Sequence, residues 1–252
     1  MALDQRSRIR EPHARSLDLP PPFRLVALRE VGDAFAHAVA NAGALGAGTV
    51  VFVGRFDLAE FAVVLEPDEP LAASRRGFYA GMAALGDALA ALAPPEKPIA
   101  IDWPDAFRID GGLVGGGRLG WPAEARETAR PDWLVFGASI RTTSMSGEEA
   151  GLHPLSTALE EEGFGDASAA RLVESFARHL MVAIDRWQET GFESVAREYL
   201  SRVTLERGAR AAIDARGDLE ILRPGRPVTR RKLAPALKAP SWLDPTSGGP
   251  RW

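Results

Sequence analysis

Residues 110–120 constrain the fold most strongly, because six of them are glycine. A run this rich in glycine is unfavourable in a helix and indicates strands with a bare backbone, which a ligand or another chain segment can approach closely. Residues 115–120 also fit the dinucleotide-binding pattern G-x-G-x-x-G. That motif must open an apolar helix, whereas Trp121-Pro122 and a polar stretch follow, so a Rossmann-type site is not predicted. A glycine-rich bulged hairpin without a ligand is the alternative interpretation.

Short apolar runs and helical stripes alternate along the rest of the chain. Apolar residues recur every three or four positions in residues 28–43, 71–92 and 172–200, which predicts three amphipathic helical regions. Continuous apolar runs bounded by turn residues predict short strands at 23–28, 49–53, 61–65, 99–101, 107–109 and 134–136. We therefore predict an α/β (α+β) fold, in which helices flank a mixed β-sheet.

Composition divides the chain into three parts. Residues 1–19 are rich in arginine and poor in apolar side chains, which predicts a flexible N-terminal tail. Residues 20–201 contain the predicted sheet and helices and form the main domain. Between residues 202 and 238, ten Lys or Arg stand against four acidic residues, and residues 211–222 have the pattern of a β-hairpin. Residues 202–252 are therefore predicted to be a small basic β domain with a tail.

The composition excludes several kinds of site. The absence of cysteine excludes disulfides, thiolate metal ligands and cysteine nucleophiles. No zinc site is predicted, because the close spacing of zinc ligands is missing among His13, His37, His153 and His179. No metal ligand is assigned, although Asp102 and Asp105 could hold Mg²⁺ beside a phosphate or cap a turn. The net charge of −4 gives no electrostatic reason to expect nucleic acid as the main partner. No apolar run approaches the ~20 residues that cross a bilayer, so we expect a cytoplasmic protein without a membrane partner.

A succession of motifs resembles the biotin/lipoate protein ligase family. That family carries a Lys-Trp-Pro-Asn-Asp motif at a strand end, a following Lys-Leu-x-Gly-Ile strand and a strand ending in Gly-Ile-Gly-Ile-Asn. At similar spacing, this chain has IDWPDAFRIDGGLVGGGRLGW from residue 101 and LVFGASIRT from residue 134. The helices of residues 172–200 and the hairpin of residues 211–222 also resemble the end of the family's catalytic domain and its small C-terminal domain. The resemblance covers residues 23–222, and Trp103-Pro104 with the glycines after it is its specific part.

The resemblance implies an ATP-dependent ligase or acyltransferase. Such a ligase activates a carboxylic acid, biotin or lipoate, as an acyl-adenylate and transfers the acyl group to a lysine of an acceptor protein domain. ATP with Mg²⁺ would then be the cofactor. Several family positions differ here: Asp102 and Gly112 stand where the family has lysines, and Asp105 stands where it has asparagine. The long adenylate-binding loop is reduced to residues 54–60, so a catalytically degenerate ligase-fold binding or scaffold protein is the alternative.

The candidate site follows from these positions. We expect the glycine strand and the indole of Trp103 to form two walls of a pocket. Arginine suits carboxylate and phosphate recognition, so at least two of Arg55, Arg118 and Arg141 should converge there. The predicted catalytic residues are Arg118 and Asp105. The predicted cofactor-binding residues are Arg55, Trp103, Pro104, Gly112, Gly115, Gly116, Gly117, Gly137, Ser139 and Arg141. Docking of nucleic acid or an acidic protein on the basic C-terminal unit is a third hypothesis.

Overall fold

A computed structural model describes residues 16–30, 32–144, 155–165 and 167–251 of the chain. Within these residues, the largest sheet contains seven strands: β1 (Arg24–Leu28), β2 (Thr49–Gly54), β3 (Leu58–Leu65), β4 (Ile99–Asp102), β5 (Ala106–Ile109), β6 (Gly112–Gly120) and β7 (Leu134–Arg141). Their order is β1-β2-β3-β7-β6-β5-β4. Strands β1 and β2 are parallel, and the other neighbours are antiparallel. The predicted mixed sheet is therefore confirmed.

Helices cover both faces of this sheet. They are α1 (Ala34–Leu45), α2 (Leu71–Ser74), α3 (Gly77–Leu92), α4 (Ala169–Thr190) and α5 (Phe192–Leu200). Helix α3 packs against the sheet and against α4 and α5, and twelve of its sixteen residues are buried. Helix α1 covers the opposite face through a smaller apolar cluster that includes Ala34, Ala38 and Ala42. The α/β class predicted from the alternating pattern is thus the observed one.

The first helix begins later than the apolar stripe suggested. The stripe starts at residue 28, whereas α1 starts at Ala34. Asp33 caps the helix because its side chain accepts a hydrogen bond from the Ala36 backbone nitrogen at 2.8 Å. This places the carboxylate of Asp33 at the sheet, next to the glycine-rich strand.

The C-terminal part forms a second, smaller sheet. Strands β8 (Arg210–Ile213), β9 (Leu219–Leu222) and β10 (Thr229–Arg231) pair in the order β10-β9-β8, and helix α6 (Leu233–Leu237) follows. The chain just before them runs beside β4: the Ile101 nitrogen donates to Arg202 O at 2.8 Å, and the Thr204 nitrogen donates to Ile101 O at 3.0 Å. The edge strand of the large sheet is therefore paired on its outer side.

The N-terminal tail lies mostly outside the described residues, since the description starts at residue 16. Leu17 and Leu19 pack against the main core, and the Asp18 carboxylate accepts a hydrogen bond from Arg178 at 2.9 Å. The last residues of the predicted flexible tail thus contact the domain. Among the described helices, none is long and apolar enough to span a membrane.

Candidate functional site

The residues of strand β6 alternate between the two faces of the sheet. Gly117 points toward α3, where a Cβ atom would lie 2.6 Å from the sulfur of Met82. Gly116 and Arg118 point to the other side, on which α1 lies. Gly116 is paired with Ser139 of β7 in the sheet register. We call this side of the sheet, around Asp105, Gly116, Arg118 and Ser139, the glycine face.

The C-terminal segment, residues 240–251, covers the glycine face. Trp242 is fully buried, and its indole Nε1 donates a hydrogen bond to Gly117 O at 3.0 Å. A Cβ atom on Gly116 would lie 2.4 Å from Cδ1 of this indole and 2.0 Å from the backbone oxygen of Asp105. Only glycine leaves room for the indole at this position. Of the two close approaches predicted from the glycines, by a ligand or by another chain segment, the structure contains the second.

Asp105 anchors the same segment. Its carboxylate accepts hydrogen bonds from both the backbone nitrogen of Ser241, at 2.9 Å, and the hydroxyl of Ser241, at 2.6 Å. The side chain is almost completely buried, and this burial raises the pKa of Asp105, although the two hydrogen bonds oppose the shift. The predicted catalytic carboxylate is thus engaged by the protein's own backbone and hydroxyl donors.

Arg141 holds the far end of the segment. Its guanidinium donates to Pro250 O at 2.8 Å and to Thr157 O at 3.3 Å. The Arg251 backbone nitrogen donates in turn to Trp242 O at 2.8 Å, so residues 242–251 close on themselves as a compact loop. Burial lowers the pKa of Arg141.

Arg118 lies farther along the glycine face, at the start of α1. Its guanidinium donates to the Asp33 carboxylate at 2.9 Å and stacks on the ring of Phe35, with its carbon 4.3 Å from the ring centre. Burial lowers the pKa of Arg118 and raises the pKa of nearby Glu60, whose carboxylate accepts from the backbone of α1. Among the described residues, Arg118 Nε and the hydroxyl of fully buried Ser139 have no hydrogen-bond partner.

The three candidate arginines do not converge at Trp103. Arg55 forms a bidentate ion pair with Asp57, at 3.1 and 2.7 Å, in the short turn between β2 and β3. Arg118 and Arg141 have the partners already described. The shortened turn explains the position of Arg55, because an adjacent carboxylate within the turn engages it.

Trp103 does not lie on the glycine face. Its indole Nε1 donates to the hydroxyl of Tyr79 at 3.2 Å, and that hydroxyl donates to the small sheet through Gly217 O at 2.6 Å. The guanidinium over the Trp103 ring is that of Arg231, at 5.4 Å from its centre. The carbonyl of Pro104 accepts from the hydroxyl of buried Tyr199 at 2.8 Å. Trp103 thus connects the large sheet to the C-terminal unit, and Pro104 connects it to α5.

The other candidate glycines also face side chains of the protein. A Cβ atom on Gly112 would lie 2.6 Å from Thr157, and one on Gly137 would lie 2.5 Å from the ring of Phe35. Gly115 adopts a positive φ of 143°, and a Cβ there would lie 1.9 Å from the backbone oxygen of Ser139. The expectation of a pocket walled by the glycine strand and Trp103 is therefore wrong, because the protein's own side chains fill the space beside the strand.

Comparison with known proteins establishes the family. The profile described as "Biotin/lipoate A/B protein ligase family" matches residues 19–201. The chain belongs to this family. No curated protein sequence matches. Among solved structures, a biotin protein ligase-like protein of unknown function from Silicibacter sp. TM1040 is 31% identical, with a TM-score of 0.72 over 85% of this chain and 96% of that one.

Biotin protein ligase from Aquifex aeolicus shares the fold of this family member. Its apo form is 15% identical, with a TM-score of 0.63 over 82% of this chain and 95% of that chain. The same enzyme in complex with biotin and ATP is 15% identical, with a TM-score of 0.61 over 83% and 96% of the two chains. At this identity, the likeness concerns the fold alone.

The residues of this biotin/lipoate ligase family member do not fit the family's cofactors. Asp102 and Gly112 stand at the two motif positions where the family has lysine. Asp102 accepts a hydrogen bond from Arg108 at 2.6 Å, and Gly112 faces Thr157. Asp105 is occupied by Ser241. Among the described residues, no group of three or more His, Cys, Asp or Glu could hold a metal ion. Among the described residues, the cationic groups that stabilise the negative charge of an acyl-adenylate are thus not assembled at these positions.

Two surface depressions lie away from the glycine face. A cleft of 530 Å³ separates Trp103 from the small sheet and is lined by Thr204, Ile221 and Arg231 among others. An apolar groove of 690 Å³ runs between the large sheet and α4, and Glu66, Asp68 and Asp185 lie along it. Neither depression contains any of the three candidate arginines.

Sequence reasoning missed the residues that occupy the site. Ser241 and Trp242 stand in a proline- and glycine-rich tail that has no periodic apolar pattern. A tryptophan in such a segment was the one available signal, since a large aromatic side chain favours burial. Tyr79 was not singled out, because it lies among the apolar residues of α3 and no sequence pattern distinguishes it from them.

Proposed function

We propose that this protein is a catalytically degenerate member of the biotin/lipoate ligase family that acts as a binding or scaffold protein. The observation that carries the proposal is the occupation of the glycine face by Ser241 and Trp242. A carboxylic acid on this side of β6 would compete with a fully buried indole for the space beside Gly116.

The electrostatics of the face support the same conclusion. Adenylate formation develops negative charge at the α-phosphate and needs preorganised cationic groups. Arg55 is neutralised by Asp57, Arg118 is paired with Asp33, and Arg141 donates to backbone carbonyls. Loss of one such donor typically costs about 10²–10³ in rate, and two lysines of the family motif are replaced here.

The test is an adenylation assay. The purified protein is incubated with ATP, Mg²⁺ and biotin, lipoate or octanoate, and pyrophosphate release is measured beside an active biotin protein ligase. We expect release no faster than in the absence of the acid, while the active ligase responds. Acid-dependent pyrophosphate release by this protein would contradict the proposal and identify it as an enzyme.

A second candidate function is binding of an acyl carboxylate and its transfer to a lysine of an acceptor protein domain. One observation favours it: buried Ser139 Oγ and Arg118 Nε have no hydrogen-bond partner among the described residues. Because buried polar groups normally have a partner, a bound ligand could supply it. Isothermal titration of the wild type and of Trp242→Ala with each acid tests this function. Binding gained only by the variant would favour a ligand site that the segment closes, whereas binding by neither would remove it.

A further inference from the structure

The contacts of the C-terminal segment are specific for its side chains. Asp105 accepts from both the nitrogen and the hydroxyl of Ser241, which a residue without a hydroxyl could not satisfy in the same way. Gly117 O accepts from the indole of Trp242, so the site distinguishes tryptophan from phenylalanine. The missing side chain at Gly116 provides the slot for the ring.

The segment has its own internal structure. Asp244 organises a turn, since its carboxylate accepts from the Thr246 nitrogen at 2.8 Å and its carbonyl accepts from the Gly248 nitrogen at 2.9 Å. Arg251 closes the loop through Nε, which donates to Leu243 O at 2.8 Å. A preorganised loop loses less conformational entropy on binding than an extended chain.

The segment is also separate from the main core. Trp242 belongs to a small apolar cluster with Ala106, Leu113 and Leu243, apart from the large cluster between the sheet and α3. Residues 238 and 239, which connect it to α6, are exposed. Small, peripheral units of this kind can open without global unfolding.

We propose that the glycine face is a peptide-binding site for a segment with the sequence of residues 240–251, in which Ser241 and Trp242 make the specific side-chain contacts; the site is filled in cis by the chain's own C-terminal segment and can take the same sequence from a second polypeptide. The proposal rests on the proposed function, because the face then serves a peptide and not an acyl-adenylate. Asp105 binds the serine, Gly116 leaves the space for the indole, the carbonyl of Gly117 accepts from the indole nitrogen, and Arg141 binds the carbonyls at the far end.

The experiment begins with the full chain, so that folding is complete before the segment is freed. A protease recognition sequence is introduced at residues 238–239, the folded protein is cut, and gel filtration measures whether the segment stays bound. A fluorescently labelled synthetic peptide of residues 240–252 is then added, and its exchange is followed by anisotropy. We expect the cut segment to stay bound and to exchange for the labelled peptide.

Matched peptides show whether the contacts are specific. A Trp242→Ala peptide should compete about 100-fold more weakly, because a buried aromatic anchor dominates binding of this kind. A Thr246→Ala peptide is the control, since the Thr246 side chain is exposed and the change keeps the backbone nitrogen that donates to Asp244 at 2.8 Å. It should compete within about twofold of the natural sequence.

Three results would count against the proposal, and the first two come from the peptides. One is equal competition by the natural and Trp242→Ala peptides, and the other is failure of the cut segment to exchange at any peptide concentration. If cutting unfolds the protein, circular dichroism will report it, and that result also counts against an exchangeable ligand. The adenylation assay on the uncut protein is independent, so failure of either idea is recognised separately.

Discussion

Replacement of Asp105 by alanine should release the C-terminal segment while leaving the sheet folded. The change removes the acceptor for both hydrogen bonds of Ser241. Hydrogen bonds to a charged group contribute about 1.5–3 kcal/mol each, which gives ~3–6 kcal/mol for the pair. The raised pKa of Asp105 shows that burial of the carboxylate opposes this gain, so the lower end, about 3 kcal/mol, is the expected loss.

Hydrogen exchange measured by mass spectrometry tests this value. A loss of about 3 kcal/mol corresponds to roughly a 100-fold increase in the opening of residues 241–251. Exchange in the peptides that cover β3 and β7 should stay slow, because those strands lie in the main core. The effect should thus be local and not a general loss of protection.

Two variants serve as controls. In Asp105→Asn, one oxygen still accepts from the Ser241 nitrogen, and the serine hydroxyl can rotate to accept from the new amide, so exchange should rise less than tenfold. In Asp102→Ala, the lost contact is the pair with Arg108, outside the segment, and exchange of residues 241–251 should not change. Wild-type protection of residues 241–251 in Asp105→Ala would refute the anchoring role of the carboxylate.

Three further predictions concern stability. Gly116→Ala should lower the melting temperature more than Gly111→Ala, because a Cβ on Gly116 would collide with the backbone of Asp105 and the indole of Trp242. A Cβ on Gly111 would meet open space, so its cost is only that of a side chain at a φ of 87°, about 1–2 kcal/mol. Equal melting temperatures would contradict the indole slot. Tyr79→Phe should destabilise the fold by about 1–3 kcal/mol in urea unfolding, since the indole N–H of Trp103 and a backbone carbonyl lose their partner, and an unchanged midpoint would contradict this role. Burial raises the pKa of Glu60, so its proton stabilises the folded state at acidic pH, and this stabilisation is lost as the pH rises through the folded-state pKa. Glu60→Gln should therefore melt higher than wild type at pH 7.5 and lose that advantage near about pH 4, whereas a constant difference across pH would exclude Glu60 titration as the cause.

Local patterns were sufficient to predict the fold. Apart from Thr49, the strands of residues 49–53 and 61–65 are apolar throughout because both faces of β2 and β3 are covered, and that pattern is readable without coordinates. The motif at Trp103-Pro104 indicated the family, which the match to residues 19–201 confirms. In both cases neighbouring residues carry the information.

The content of the site depended on contacts that no local pattern encodes. Ser241 and Asp105 are 136 positions apart, and nothing near either residue indicates that they meet. The glycines of β6 predicted a close approach but not the approaching group, since bare backbone suits a ligand and an indole equally. The predicted convergence of the arginines is not observed, because Asp57 pairs with Arg55 two residues away and Asp33 pairs with Arg118 from 85 positions away.

The pairing of residues 202–204 with the edge strand β4 limits which fragments of the protein can be produced without exposing a strand edge. A fragment ending at residue 201 would contain the region matched by the family profile, yet it would expose the outer backbone groups of Ile101. Unpaired strand edges recruit strands of other molecules. Such a fragment is expected to self-associate during purification, whereas the chain with its C-terminal unit keeps this edge paired.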